Sequence, residues 1–273
     1  MTLRDHHVVI TGGSSGIGLA AALRAAFEGA RVSLIARDPG KLESAKAALL
    51  AAVPAASVAT ASADVSIAAQ LSGALQGVEA ANGPTDILIA SAGIARPGYF
   101  DEIAPEVFER TMAVNYLGTV YALKRVLPGM RRRGRGAVVL VSSGAGLLGL
   151  FGYTAYSPTK FALRGLAESL RAELHGSGVG VTIVYPPDTD TPQLAEENKT
   201  KPPETKALTA EGGLWTADAV ARLTIEGLKR GQFAVTPGFQ LTAVYRLQSL
   251  LGPLLSWRFN HIAARARKKA ARG

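Results

Sequence analysis

The chain has 273 residues and no cysteine, which excludes disulfides, thiolate metal sites and a catalytic thiol. Apolar residues make up 48% and charged residues 19% of the sequence, a composition that allows a sizeable core and excludes global disorder. The net charge of +9 lies in the last 47 residues: residues 1–226 hold 21 basic and 21 acidic side chains, whereas residues 227–273 hold nine basic and no acidic ones. The sequence is thus divided into a neutral body and a basic tail.

Strands and helices are predicted to alternate along the body. Strands are predicted at residues 7–11, 32–36, 58–61, 87–89, 137–142, 179–184 and 233–235, and helices at residues 19–28, 41–52, 67–81, 105–128, 155–175 and 217–229. This alternation predicts an α/β fold, a doubly wound parallel sheet with helices on both faces and right-handed crossovers. We expect a single Rossmann-fold domain over residues 1–238, followed by a tail over residues 239–273.

Residues 186–213 interrupt the alternation. They are mostly polar and include five prolines. A loop of this length inside a compact domain is usually functional or mobile. We therefore predict a substrate flap with short helical pieces.

The first predicted strand leads directly into a glycine-rich turn, Thr11-Gly-Gly-Ser-Ser-Gly-Ile-Gly18. Gly12, Gly16 and Gly18 allow a tight turn and a close approach to a pyrophosphate, and the following helix offers its N-terminal N–H groups. Ser14 and Ser15 add hydroxyl donors. The turn predicts a dinucleotide site that also includes Ile17; the alternative is an ordinary strand–helix loop, since a glycine-rich turn alone is a weak signal.

The end of the second strand bears on the choice of nucleotide. Proteins that prefer NAD usually place an acidic residue there to accept from the ribose 2′-OH. This chain has Ala36 and Arg37, with Lys41 further on, and a guanidinium can hold a 2′-phosphate by two hydrogen bonds. We predict NADP(H), with a solvated Arg37 as the alternative. Asp64, after the third strand, is predicted to contact the adenine or, alternatively, to cap the turn before Val65.

Tyr156 and Lys160 are four residues apart in a predicted helix, so one helical face presents both. A free tyrosine has a pKa of ~10, and we expect the nearby ammonium to lower the pKa of Tyr156. Tyr156 could then donate a proton to a ketone oxygen while hydride reaches the carbonyl carbon. Ser143 can hydrogen-bond that oxygen, and Lys160 can hold the nicotinamide ribose. A Tyr-x-x-x-Lys pair alone is common on helix surfaces, so this interpretation depends on its combination with the glycine turn.

Several of these motifs carry a family resemblance: Thr11-Gly-Gly-Ser-Ser-Gly-Ile-Gly18, Asn115, Ser143 and Tyr156-Ser-Pro-Thr-Lys160. In order and spacing, over about residues 6–236, they resemble the short-chain dehydrogenase/reductase family. The resemblance implies that Asn115 is a fourth catalytic residue, holding a water that links Lys160 to solvent, and it favours Ser143 over Ser142. The predicted cofactor contacts are Gly12, Ser14, Ser15, Gly16, Ile17, Gly18, Arg37, Lys41, Asp64, Val65, Ala92, Gly93, Tyr156, Lys160, Pro186, Thr189 and Thr191. We expect no metal site.

The chain departs from the family pattern at two places. The usual Asn-Asn-Ala-Gly is here Ala90-Ser-Ala-Gly93, so Ser91 replaces one stabilising amide. The usual Pro-Gly is here Pro186-Pro187, which removes a backbone N–H and stiffens the loop. Within the family, three segments are similar to the 3-ketodihydrosphingosine reductases, which reduce 3-dehydrosphinganine to sphinganine with NADPH: residues 115–118, 149–156 and 185–202.

Three functions follow as hypotheses. The first is NADPH-dependent reduction of a long-chain 3-ketone, foremost 3-dehydrosphinganine. The second is the same chemistry on a steroid or a 3-oxoacyl lipid. The third is a non-catalytic NADP(H)-binding sensor, against which the complete set of catalytic residues argues. The resemblance also implies a homo-oligomer formed through the helices that carry Asn115 and Tyr156.

The tail begins with an apolar stretch, in which Gly252-Pro253 is expected to break or kink a helix. We expect this stretch to lie on an anionic membrane, where each basic side chain contributes ~1 kcal/mol. The alternative is a helix that covers the substrate pocket or forms a dimer contact, with a solvated basic end. The charge has no accompanying aromatic platform, so we expect no nucleic-acid partner. The proposed basic anchor consists of Arg265, Arg267, Lys268, Lys269 and Arg272.

No charged and apolar leader precedes the first strand, so we expect no signal peptide. No uncharged apolar run reaches the roughly 18–20 residues of a membrane-spanning helix. We therefore expect a cytoplasmic protein, with peripheral contact to the cytoplasmic face of a membrane as the alternative.

Overall fold

A computed structural model describes residues 2–210 and 213–270 of the chain. The strands are β1 His7–Thr11, β2 Arg31–Ala36, β3 Val58–Ser62, β4 Ile87–Ala90, β5 Gly136–Val141, β6 Val179–Val184, β7 Thr189–Asp190, β8 Trp215–Thr216 and β9 Ala234–Val235. The α-helices are α1 Gly16–Phe27, α2 Pro39–Ala52, α3 Ala68–Asn82, α4 Pro105–Met112, α5 Gly118–Arg133, α6 Ser157–Glu173, α7 Pro192–Thr200, α8 Pro203–Thr209, α9 Ala217–Lys229 and α10 Phe239–Ala270.

Seven strands form one parallel sheet in the order β3-β2-β1-β4-β5-β6-β9. Two apolar cores cover its faces, one formed with α3, α5 and α6 and the other with α1, α2 and α9. The predicted α/β Rossmann fold is therefore confirmed. The chain order reverses between β1 and β4, and ligands of such sheets bind at the carboxyl ends of the strands beside this point.

The long helix predicted at residues 105–128 differs from the prediction in two ways. A π-helical turn, Ala113–Leu117, separates α4 from α5, and α5 continues past Pro128 to Arg133. Pro128 leaves the carbonyl of Lys124 without a helical donor, but Lys124 is exposed, so water can satisfy that group. The helix ends at Gly134, whose left-handed conformation (φ 62°) favours glycine.

The flap contains the predicted short helices, α7 and α8, and the strand β7, which pairs with β8 just after the flap. Thr191 caps α7 by accepting a hydrogen bond from the backbone N–H of Leu194, and Pro192 occupies the first helical position. These local signals place α7 beside the carboxyl end of β6. Gly213 follows the undescribed residues 211–212 within the predicted flap.

The tail forms α10, and its kink lies at Leu247 (φ −118°, ψ 21°) rather than at Gly252-Pro253, where it was expected. Leu241 and Tyr245, before the kink, pack against the body, and the Tyr245 and Tyr185 rings lie 5.6 Å apart. Beyond the kink, Leu250 and Leu254 are exposed. The bend thus marks the point at which the helix leaves the core.

Within the described residues, no helix is long and apolar enough to cross a membrane. Arg265 is exposed in the second half of α10. The other members of the predicted basic anchor lie outside the described residues or side chains, namely Arg267, Lys268, Lys269 and Arg272.

Candidate active site

A cleft of about 310 Å³ opens at the carboxyl ends of the parallel strands. All of the predicted cofactor contacts line it, from the glycine-rich turn to the loop after β6. Three of the four predicted catalytic residues line it as well: Ser143, Tyr156 and Lys160. The fold therefore brings into one cavity predicted site residues that are separated by up to 179 positions in the chain, from Gly12 to Thr191.

The glycine-rich turn leaves no room for side chains. Gly12 has φ 71°, and a Cβ there would lie 2.7 Å from the backbone N and Cα of Ala92. Gly16 has φ 54°, and a Cβ there would lie 2.9 Å from the Cγ2 methyl of Thr191. Positive φ and the absent Cβ atoms allow this close packing, and the start of α1, a type of helix end that suits an anion, lines the cleft.

Positive charge lies at the end of β2. Arg37 and Lys41 line the cleft and are exposed. Asp38 lies between them, but its carboxylate caps α2 by accepting from the backbone N–H of Lys41 at 3.1 Å. The acidic group at this position is therefore tied to the helix, and the two basic side chains are left facing the cleft.

Asp64 lines the cleft and also holds its own turn together. Its Oδ1 accepts from the backbone N–H of Ser66 at 2.9 Å, and its Oδ2 lies 2.5 Å from Nη2 of Arg110. Although burial acts in the opposite direction, these bonds lower the pKa of Asp64 to about 2. These bonds support the interpretation of Asp64 as a turn cap. Because Asp64 also lines the cleft, a contact with the adenine stays a prediction.

The reaction centre lies at the start of α6. Tyr156 and Lys160 are buried, and the Nζ atom of Lys160 lies 5.3 Å from the centroid of the Tyr156 ring. Lys160 Nζ also donates to the carbonyl of Val141 at 3.1 Å. Ser143 is half-buried at the end of β5 and lines the cleft. Its neighbour Ser142 instead donates to the backbone carbonyl of Lys160.

Burial shifts both titratable groups of this centre. It lowers the pKa of Lys160 to about 8, with Glu197 acting in the opposite direction. It raises the pKa of Tyr156 above its usual range, and the carboxylates of Glu197 and Asp188 add to that effect. The expected lowering of the Tyr156 pKa is therefore wrong, because desolvation and the two carboxylates outweigh the hydrogen bonds with Ser143 and Gln193, which lower the pKa. A tyrosine of this kind keeps its proton at neutral pH.

Asn115 is fully buried in the π-helical turn between α4 and α5, behind the cleft. Its Oδ1 accepts from the backbone N–H of Ile94 at 2.8 Å, and its Nδ2 donates to the Ile94 carbonyl and to Oγ1 of Thr159. Asn115 thus ties the loop after β4 to α6. A methyl group on Gly93 would lie 3.4 Å from Oδ1 of Asn115 and 3.6 Å from Nζ of Lys160, so these two groups flank the same glycine.

Sequence reasoning missed the opposite wall of the cleft, which we call the flap wall: Tyr153, Asp188, Gln193 and Glu197. Glu197 accepts from the Tyr153 hydroxyl at 2.6 Å and from Nε2 of Gln193 at 2.8 Å. Asp188 pairs with Nζ of Lys201 at 3.0 Å. The spacing of Gln193 and Glu197, four residues apart after a helix-starting proline, was the available signal.

Comparisons with known proteins agree with this geometry. Residues 6–202 match the short chain dehydrogenase family. The chain belongs to the short-chain dehydrogenase/reductase family. It is 42% identical over 250 residues to a 3-dehydrosphinganine reductase of Danio rerio, covering 89% of this chain and 75% of that protein. It is 43% identical over 236 residues to a 3-ketodihydrosphingosine reductase of Bos taurus, covering 85% and 71%.

Among solved structures, a short-chain dehydrogenase/reductase from Burkholderia phymatum in complex with NAD matches with a TM-score of 0.83 and 25% identity. The match covers 93% of this chain and 96% of that one. Membership of this family makes the protein an oxidoreductase, and the predicted resemblance is confirmed.

Both departures from the family pattern lie in the cleft of this short-chain dehydrogenase/reductase. The backbone N–H of Ser91 donates to the Thr11 carbonyl at 3.1 Å. Pro187 offers its carbonyl to Oγ1 of Thr189 at 2.8 Å, and the Pro186 carbonyl accepts from the N–H of Gly144 at 2.9 Å. The Pro186 carbonyl thus fastens the flap to the segment after β5, whereas the Pro187 carbonyl holds a local turn within the flap, and Pro187 can donate no hydrogen bond itself.

Proposed function

We propose that this protein reduces a long-chain 3-ketone with NADPH, and that the ketone is 3-dehydrosphinganine, which becomes sphinganine. The observation that carries the proposal is the convergence of Ser143, Tyr156 and Lys160 in one cleft. The names of the relatives from Danio rerio and Bos taurus support the choice of substrate. The fold alone would not support that choice, since one fold hosts many substrates.

The cleft fits a dinucleotide. The pyrophosphate would lie against the N–H groups at the start of α1, and the absent Cβ of Gly12 lets the turn pack against the Ala92 backbone on its other side. Arg37 and Lys41 would hold a 2′-phosphate, which supports NADP(H) over NAD(H). Thr189 and Thr191 line the same cavity, where they would meet the nicotinamide carboxamide. When bound, the reduced nicotinamide would supply the hydride.

The residues of the reaction centre have separate tasks. The buried Tyr156 keeps its proton at neutral pH and donates it to the ketone oxygen as negative charge develops there. The Ser143 hydroxyl donates a hydrogen bond to the same oxygen and orients the carbonyl. The Lys160 ammonium, positive below a pKa of about 8, adds positive charge beside the phenol. Asn115 holds α6 and the loop after β4 in register.

A ketone panel tests the proposal. NADPH oxidation is measured with 3-dehydrosphinganine, a steroid ketone and a 3-oxoacyl thioester. We expect the highest kcat/KM with 3-dehydrosphinganine. Faster turnover of another ketone would move the assignment to that substrate, and NADPH binding without turnover of any ketone would identify a sensor.

We further propose that the second half of α10 rests on an anionic membrane surface. Leu250, Leu254 and Trp257 are 76%, 60% and 59% exposed, and their spacing places them on one helical face. Arg265 follows on the same helix. Apolar contact combined with anionic attraction is the usual basis of interfacial binding.

Vesicle co-sedimentation tests this location. We expect binding to vesicles that contain anionic lipid, and its loss in a Leu254→Glu/Trp257→Glu variant. Phe100→Glu, which alters an equally exposed residue far from α10 in the sequence, is the control. Unchanged binding of the double variant would contradict the proposal.

Homo-oligomer formation through α5 and α6 is a third proposal. Leu117, directly before α5, and Phe161, on α6, are 36% and 38% exposed. Exposed apolar residues on adjacent helices are typical of a contact with a second copy. Sedimentation should show a dimer or tetramer that Phe161→Glu dissociates; a monomeric parent protein would contradict the proposal.

A further inference from the structure

Glu197 places a buried negative charge in the wall of the cleft. The residue is only 7% exposed, yet it lines the cavity. Its two hydrogen-bond donors, the Tyr153 hydroxyl and the Gln193 amide, are both neutral. Within residues 2–210 and 213–270, no lysine or arginine forms a salt bridge with it. The charge of Glu197 does act on the Lys160 ammonium, but that group donates its hydrogen bond to the Val141 carbonyl and not to Glu197. A buried carboxylate without a directly bonded cation is costly, so its place in the cavity suits a ligand that supplies one.

Asp188 in the same wall provides the contrast. Its carboxylate pairs with Nζ of Lys201 at 3.0 Å, and that lysine side chain is only 1% exposed. The chain therefore supplies its own cation to Asp188 and leaves Glu197 with neutral partners. Of the two carboxylates that line the flap wall, Glu197 is the one that has capacity for an external positive charge.

Glu197 also lies beside the reacting groups. The Tyr153 ring that donates to it is 5.5 Å from the Tyr156 ring, centroid to centroid. Its second partner, Gln193, has its Oε1 near Gly93, the glycine that Asn115 and Lys160 flank. The charge of Glu197 acts on Tyr156 and Lys160 alike. A cation at Glu197 would therefore lie close to the carbonyl that Tyr156 protonates.

We propose that Glu197 is a specificity-determining residue that binds a protonated amine on the carbon next to the ketone, so that the site selects α-amino ketones. This inference rests on the proposed function and deepens it, since 3-dehydrosphinganine carries an amino group on that carbon. Each oxygen of Glu197 accepts one bond from the protein and retains one lone pair for the ammonium. Tyr153 and Gln193 position the carboxylate.

A pair of substrates tests the proposal: 3-dehydrosphinganine and 1-hydroxyoctadecan-3-one, which has the same chain without the amine. The parent enzyme should prefer the amino ketone. Glu197→Gln keeps the shape and removes the charge, and should lower kcat/KM for the amino ketone roughly 10- to 100-fold, the range of a charge-assisted hydrogen bond. The amine-free ketone should change less than about three-fold.

Glu196→Gln is the matched control. It makes the same substitution at the neighbouring position of α7, where the side chain is 69% exposed and pairs with Lys199, and it should leave both substrates unaffected. Equal losses on the two substrates in Glu197→Gln would overturn the proposal, because they would indicate a structural role. A parent enzyme that shows no preference for the amino ketone would overturn it as well. NADPH affinity reports whether each variant is folded.

A binding measurement separates this inference from the proposed function. If neither ketone is turned over, the proposed function fails, but the ammonium site can still be tested. The affinity for sphinganine is then compared with that for octadecane-1,3-diol, which lacks the amine, in the presence of NADP⁺. Selective loss of sphinganine affinity in Glu197→Gln, again about ten-fold or more, would support an ammonium site without reduction. Equal affinities of the parent protein for the two compounds would refute the site.

Discussion

The two walls of the cleft are built in different ways. The turn wall, residues 12–18, approaches its ligand with backbone, because positive φ at Gly12 and Gly16 and missing Cβ atoms create the space. The flap wall presents side chains, with Glu197 bonded to Tyr153 and Asp188 paired with Lys201. A backbone cradle suits the phosphates of a cofactor that many proteins use. Charged side chains at fixed positions suit the recognition of one particular substrate.

Tyr156 lines the cleft together with both walls, and the loss of its hydroxyl should have the largest effect on turnover. Tyr156→Phe removes the proton donor and keeps the ring, so kcat should fall about 10²- to 10⁴-fold. The affinities for NADPH and for the ketone should stay within a few-fold, because both walls are intact. Steady-state kinetics and NADPH titration measure the two quantities. Tyr121→Phe, on α5, is the control; a Tyr156→Phe enzyme of normal kcat would exclude Tyr156 as the donor.

The same difference between the walls explains what the sequence could predict. On the turn wall the signals are local, since the first strand and the three spaced glycines follow one another directly in the chain. On the flap wall, Tyr153 and Glu197 are 44 residues apart, and neither position is informative without the other. Burial raises the pKa of Tyr156, and the Glu197 carboxylate adds to that effect; neither is visible in the sequence, so sequence reasoning predicted the direction wrongly. The kink at Leu247 likewise depends on where α10 leaves the core.

Arg37→Asp should change the cofactor side alone. The guanidinium that would hold a 2′-phosphate is replaced by a carboxylate that repels it, so KM for NADPH should rise about 100-fold, consistent with two lost charge-assisted hydrogen bonds. KM for NADH should change less than about three-fold. Arg135→Asp makes the same charge reversal directly before β5, at the amino ends of the parallel strands and so away from the cleft, and is the control. An equal rise in KM for NADPH and NADH would show that Arg37 does not bind the 2′-phosphate.

Burying the Lys160 ammonium lowers the stability of the folded protein. Burial lowers its pKa from 10.5 to about 8, so the unfolded chain binds more protons between these values and stability rises with pH across that window. Below pH 8, Lys160 is protonated in the folded and the unfolded state, so the full free-energy cost of burying its charge is present. Lys160→Met should therefore raise the free energy of unfolding at pH 7 by about 1–3 kcal/mol, flatten its pH dependence between pH 8 and 10, and abolish turnover.

Urea unfolding at several pH values measures this effect. The exposed Lys124→Met is its control. A Lys160→Met enzyme that was less stable at pH 7 would show that the bond from Nζ to the Val141 carbonyl outweighs the burial of charge.

Asp64→Asn has the smallest expected effect and separates the two interpretations of a residue on the cofactor side. The carboxylate is held by Ser66 and Arg110, which lower its pKa to about 2 despite burial. Its stabilising contribution is therefore present above its usual pKa and is lost as the pH falls towards 2. Because Arg110 is 40% exposed, solvent screening reduces the contribution to about 1 kcal/mol.

An asparagine keeps the bond to the Ser66 N–H and loses the ion pair, so at pH 7 stability should fall by that amount while NADPH affinity falls less than about three-fold. Thermal unfolding and NADPH titration together decide the matter: unchanged stability with a ten-fold loss of affinity would mean that Asp64 serves the adenine and not the turn.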